Sequence, residues 1–226
     1  MRISSLLLDL IFPPECLNCG RDLARGAVAC DTCLSEVKVH TTLFCGACRS
    51  RLAESRKVCH LSFPYVLGAA TDYADPVVRN LMHGLKFKGL TRAGDILSGF
   101  MIAYLGSTGL PREALVVPIP LGKKRRRQRG FNQAELLATP IAERFGLACD
   151  PTVLRRVRDT DPQSELKGEA RGKNVAGCFE TRGDVAGKKI ILVDDVVTSG
   201  RTLYEAALTL KNAGAGSVLA LAAAKA

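Results

Sequence analysis

Two sets of side chains in this sequence have the types and spacing that chemistry requires. One is the acid pair Asp194 and Asp195, followed at once by Val196, Val197, Thr198, Ser199, Gly200, Arg201 and Thr202. Adjacent carboxylates accept hydrogen bonds from a vicinal diol, or hold Mg²⁺ that a phosphate group also ligates. A turn of Thr, Ser and Gly brings backbone N–H groups close to an anion, and its hydroxyls add donors. A sugar phosphate satisfies both halves, its diol on the acids and its phosphoryl group in the turn. The other set is cysteine. Seven of the nine fall between residues 16 and 59: Cys16-Leu17-Asn18-Cys19, Cys30-Asp31-Thr32-Cys33, Cys45-Gly46-Ala47-Cys48, and Cys59 beside His60. Thiolates paired on tight turns in this way suit tetrahedral Zn²⁺.

Particular elements must hold these groups in place. Ile190, Ile191, Leu192 and Val193 form a short apolar, β-branched run that predicts a buried parallel strand, with the acids where it should end. A helical pattern from Leu203 to Lys211 follows and turns the positive end of its dipole toward the turn. Ligands of open α/β sheets bind beyond the carboxyl ends of the strands, which is where this turn would lie. Leu115 to Pro120 predicts a second buried strand closed by prolines. It feeds a basic run of Lys123, Lys124, Arg125, Arg126, Arg127 and Arg129, six cations in seven residues. Such a run is either a solvated, self-repelling surface or an anion site. Asn132 caps a helix through Ala134, Leu137 and Ile141.

The remaining pattern completes an α/β chain. Residues 63–73 predict a strand, Asp75-Pro76 a helix start with Val77, Val78, Leu81 and Met82 on its buried face, and residues 91–105 a further amphipathic helix. Ser217 to Leu221 predicts a last strand, and the tail AAAKA gives no signal. Arg158 to Asn174 is polar and aperiodic, a long loop that is either functional or disordered. His83, at a helix end, reads as a partly exposed side chain, and Cys149 and Cys178 as buried thiols.

A chain of 226 residues with 47% hydrophobic and 24% charged content describes a globular protein of one or two domains. Its net charge of +10 favours anionic partners such as phosphorylated metabolites or nucleic acid. With 5% aromatic residues and no Trp, no stacking platform for bases is evident. No run approaches the roughly eighteen apolar residues that span a bilayer. The opening MRISSLLLDLIF lacks a small-residue cleavage site and reads as a packing arm or amphipathic helix, so a cytoplasmic protein is expected. In a reducing compartment the first two knuckles, Cys16, Cys19, Cys30 and Cys33, make a complete structural zinc site. The third knuckle and Cys59 supply three thiolates. Either His60 completes a second zinc site, or the knuckles pair differently and leave one zinc with spare thiols.

The run from Lys188 to Glu205 resembles the phosphoribosyl pyrophosphate (PRPP) signature of type I phosphoribosyltransferases, with Ser199 standing where Thr is usual. VPIPLGKKRRRQRGFNQAELLA, with its core Arg129, Gly130, Phe131, Asn132 and Gln133, resembles the ComF family, as does the later pattern of Gln163, Leu166, Arg171 and Asn174. The resemblance implies a type I phosphoribosyltransferase-like parallel sheet flanked by helices (residues 63–226), preceded by an arm and zinc ribbon (residues 1–62). It further implies PRPP with Mg²⁺ held by Asp194, Asp195 and the turn through Thr202. The basic run would neutralise pyrophosphate or bind single-stranded DNA, and the long loop would act as a lid with Arg171 on pyrophosphate. Its implied role is competence and DNA uptake beside a helicase partner. The alternative is an active phosphoribosyltransferase of nucleotide salvage.

Overall fold

The apolar run at Ile190–Val193 becomes the inner strand of a six-stranded sheet. The computed structural model describes residues 13–52, 59–109, 113–158 and 177–226. The strands are β1 (Phe44–Cys45), β2 (Val66–Asp72), β3 (Ala114–Pro118), β4 (Ala148–Cys149), β7 (Lys189–Val197) and β8 (Ser217–Lys225), in the order β1-β2-β8-β7-β3-β4. Every neighbour pair is parallel except β1 with β2. A separate antiparallel pair, β5 (Leu154–Arg156) and β6 (Phe179–Thr181), flanks it.

Side chains alternate across a strand, and this divides the core in two. Ile191 and Val193 face one layer, where they meet α2 (Pro76–Phe87), α3 (Thr91–Thr108) and α5 (Gln133–Phe145) through Leu81, Met101 and Leu137. Ile190 and Leu192 face the other, formed by α6 (Arg201–Asn212) through Leu203, Ala206 and Leu210. The helix starts follow their local signals. Asp75 accepts from the backbone N–H of Val77 and Val78, with Pro76 in the first turn. Asn132 accepts from Ala134 N, and its Nδ2 donates to Ile119 O at 2.9 Å, which pins α5 to the end of β3.

Two expectations change. The strand does not stop at the acid pair: β7 runs on to Val197 because β8 offers ladder partners as far as Ala224 and Lys225. That partner is the alanine tail, in which Ala222, Ala223 and Ala224 are fully buried. Alanine is a weak strand former, and pairing on both edges overrides the propensity. The basic run, whose backbone the pattern left open, is helical, α4 (Lys123–Arg129), ended by Gly130 in the left-handed region with φ 80°.

The cysteine-rich segment packs directly on this body. Helix α1 (Asp31–Glu36) carries Cys33, and Cys16, Cys30, Cys33 and Val37 share one hydrophobic cluster with Leu81 and Leu85 of α2. β1 extends the sheet itself. The expected N-terminal arm (residues 1–12) and the loop with Gln163, Leu166, Arg171 and Asn174 lie outside the described residues. Among the described residues, no helix is long and apolar enough to cross a membrane.

Candidate functional site

At the carboxyl ends of β3 and β7 the chain leaves in two directions. The segment after β3 leads to α5 on one face, and the turn after β7 leads to α6 on the other. Two neighbouring strands whose connections part in this way open a crevice for a ligand. A cavity of about 180 Å³ lies there, lined by Asp194, Asp195, Thr198 and Thr202 together with Lys86, Arg125, Arg129 and Gln133.

The extension of β7 presents both acids to this cavity. Asp195 N donates to Asp194 Oδ1 at 2.9 Å. Burial, together with the neighbouring Asp195 charge, pushes the Asp194 carboxyl up to about 7. Asp195 instead accepts from Lys86 Nζ at 2.9 Å, both side chains being largely buried. Beyond the acids, the turn folds around a second, smaller hollow of about 20 Å³ lined by Val196 to Leu203. Gly200 starts α6 with φ 76°, and a Cβ there would stand 3.0 Å from Tyr65 Oη. Only glycine meets both conditions without strain.

Elsewhere in the lining, Arg129 donates to Gln133 Oε1 at 2.9 Å. Gln133 is 2% exposed, and its Nε2 has no partner in the structure. A buried amide donor facing a cavity is a hydrogen bond waiting for an acceptor. The basic run divides: Arg125 and Arg129 line the cavity, whereas Arg126 pairs with Glu135 at 3.5 Å, and Lys123, Lys124 and Arg127 are not in the lining.

The cysteines gather into two sets of four, Cys16, Cys19, Cys30, Cys33 and Cys45, Cys48, Cys59, His60, the ligand atoms of each within 4.8 Å of one another. Zn–S bonds of about 2.3 Å imply tetrahedral edges of roughly 3.8 Å. The Sγ atoms of Cys19 and Cys30 are 3.7 Å apart, and those of Cys48 and Cys59 3.4 Å. His60 Nδ1 lies 3.3 Å from Cys45 Sγ and 3.3 Å from Cys59 Sγ, so His60 closes the second set. The surroundings favour thiolate at Cys16 and Cys48, while Cys33 and Cys59, crowded by the other sulfurs of their sets, hold their protons more tightly. Burial raises Cys16, but backbone donors from Cys19, Asn18 and Cys30 outweigh it and bring that thiol down to about 6. Ser50 does the same for Cys48, also to about 6. Both donor sets fit zinc in closed, structural coordination.

Comparison with known proteins agrees with both halves. Residues 7–61 match the double zinc ribbon domain, and residues 132–225 the phosphoribosyl transferase domain. The DNA utilization protein YhgH of Salmonella typhi is 32% identical over 207 residues, covering 90% of this chain and 86% of that protein. Competence protein ComFC of Bacillus subtilis is 29% identical over 215 residues (92% and 82%), and Competence protein F of Haemophilus influenzae 30% over 102 residues (44% of each). The chain belongs to the ComF family.

Within this ComF chain the structure brings together most residues that the sequence singled out. Asp194, Asp195, Val196, Thr198 and Thr202 line the larger cavity, and Val197, Ser199, Gly200 and Arg201 join them around the small hollow. Lys86, Asn132, Gln133 and Arg156 also line the larger cavity, though sequence reasoning gave them no ligand role. Asn132 and Gln133 had a signal, since they belong to the Arg-Gly-Phe-Asn-Gln core. Lys86 had none, because it reaches Asp195 from 109 positions away.

Proposed function

We propose that this ComF protein binds PRPP with Mg²⁺ at the crevice between β3 and β7 and acts in the handling of single-stranded DNA during uptake. The observation that carries the reading is the shared cavity: acid pair, hydroxyl turn and the cations Lys86, Arg125 and Arg129 all face one space. In this reading Asp194 and Asp195 take the ribose hydroxyls or the Mg²⁺ that accompanies PRPP, and the hollow at Val196–Leu203 takes the 5-phosphate. Lys86 leaves Asp195 for the pyrophosphate, with Arg125, Arg129 and the free Gln133 amide as further donors. Arg171, outside the described residues, keeps its proposed place on pyrophosphate.

The relatives' names, DNA utilization and competence, support the wider role. The body spans residues 63–226, and the zinc ribbon before it is the surface for a helicase partner on the cytoplasmic side. DNA is held through phosphate contacts from the exposed side of α4, so its affinity falls steeply with salt.

Calorimetric titration of the zinc-loaded protein with Mg·PRPP is the decisive experiment. Binding is expected in the wild type and absent in Asp194→Ala/Asp195→Ala, with zinc content unchanged. If the double variant binds PRPP as the wild type does, the site assignment fails. Following pyrophosphate in the same samples separates a sensor from an enzyme: release in the presence of a base or strand would favour the phosphoribosyltransferase of nucleotide salvage.

A further inference from the structure

Phe87 ends α2 with 69% of its surface in water, an unusual position for a large apolar side chain in a chain whose other aromatic rings mostly pack inward. It does not stand alone. The Arg129 guanidinium lies over its ring, 5.7 Å from the centroid, and the His83 imidazole lies 4.8 Å away, tilted by 40°. Lys86, its chain neighbour, and Arg129 both line the cavity. An imidazole, a phenyl ring and a guanidinium therefore form a continuous row beside a crevice lined by Lys86, Arg125 and Arg129. Planar groups that leave a face open to water, with a cation beside them, are the surface on which nucleobases stack. Bulk composition gives no sign of this, because one ring placed at the rim suffices.

We propose that Phe87, with His83 and Arg129, is a stacking ledge for a nucleobase whose phosphate or phosphoribosyl portion is held by the adjoining cations. The inference rests on the phosphoribosyl and nucleic-acid reading above and adds to it the chemistry of what lies outside the crevice. A base has two sources, a free nucleobase or nucleotide and an unpaired base of single-stranded DNA. Duplex DNA fits neither, since its base faces are already stacked.

The chain contains no Trp, so Phe87→Trp places a single indole on the ledge as a reporter. Its fluorescence is expected to be quenched by oligodeoxythymidylate and far less by an abasic strand of equal length and charge. Quenching by adenosine monophosphate alone would assign the ledge to a free nucleotide, and quenching by strand alone to DNA. In Phe87→Ala, the ratio of base-bearing to abasic affinity should fall about 5- to 100-fold, the range that one lost stacking contact gives. An unchanged ratio, or equal quenching by both strands, overturns the proposal. Titrating the wild type with Mg·PRPP keeps the two readings apart. Loss of PRPP binding with base-dependent quenching intact sinks the crevice assignment, and PRPP binding without base dependence sinks the ledge.

Discussion

The two cysteine sets have the same number of ligands and similar spacing, yet they lean on different parts of the molecule. Three thiols of the first set are buried, and they pack in the same cluster as α2 and α3. Leu17, inside the first knuckle, stands against Gly84 of α2, and Asn80 of α2 donates to Asn18 at 3.2 Å. In the second set only Cys45 is buried. Its knuckle lies against the anion turn instead. Arg49, next to Cys48, brings a guanidinium nitrogen to 3.7 Å from where a Cβ on Gly200 would be, and donates to Ala226 O at 3.3 Å. A Cβ on Gly46 would collide with Tyr65 O, and the Tyr65 hydroxyl is the group that crowds Gly200. Four-ligand sets of similar spacing, one of four thiols and one of three thiols and an imidazole, thus support the core in one place and the ligand site in the other.

The largest effect should come from breaking the first set. Cys33→Ser removes a buried ligand whose neighbours form part of the main core, so metal loss there unfolds more than a knuckle. We expect a loss of more than about 4 kcal/mol in urea unfolding, together with one zinc per chain. A stability change as small as that of a surface substitution would show that the core does not depend on this metal, and the contrast between the sets would collapse.

Next in size is the acid edge, which the comparison assigns to neither set. The Asp194 carboxyl is raised in the folded protein, to about 7 from an ordinary value of 3.8. The folded state therefore holds the proton more tightly than the unfolded chain does. Its contribution to stability is fully present below pH 3.8 and is lost as pH rises to about 7. Asp194→Asn should then stabilise the protein more at about pH 8 than at about pH 5, the difference being on the order of 1–2 kcal/mol. Mg·PRPP, which needs the carboxylate, should bind the wild type more tightly as pH rises through the same range. Denaturation at the two pH values checks the first expectation and calorimetry the second. Both should persist in a Cys59→Ser background, and their disappearance there would tie the acids to the second set after all.

What could be read in the sequence is what is decided locally. Ile190–Val193 is apolar on both faces, Asp75 and Asn132 cap their own helices, and the Thr198–Gly200 turn is set by its own residues. What was hidden depends on partners far along the chain. Ala222–Ala224 is a strand only because β2 and β7 lie on either side of it. Lys86 is a site residue because α2 ends above Asp195, and the choice between His60 as a fourth ligand and another pairing of the knuckles falls to the return of the chain to Cys45. The run Lys123–Arg129 showed its charge but not which cations face the crevice, since that depends on the phase of a helix that the sequence pattern did not announce.

The smallest expected effect tests the second set most directly. Cys59→Ser removes a ligand that is exposed and remote from the main core, so the stability loss should stay within about 1 kcal/mol although one zinc is lost. The anion turn should respond more than the fold does. Without a fixed knuckle, Arg49 no longer holds its charge beside Gly200, and an exposed charge interaction of this kind contributes roughly 1 kcal/mol or less. Inorganic phosphate should therefore bind Cys59→Ser and Arg49→Ala more weakly by about the same factor, roughly two- to fivefold. Combining the two substitutions should weaken binding no further, because both remove one contact. Additive losses would mean that the metal set and the guanidinium reach the turn by separate routes, and a Cys59→Ser protein with unaltered phosphate affinity would reduce the second zinc ribbon to a bystander of the site.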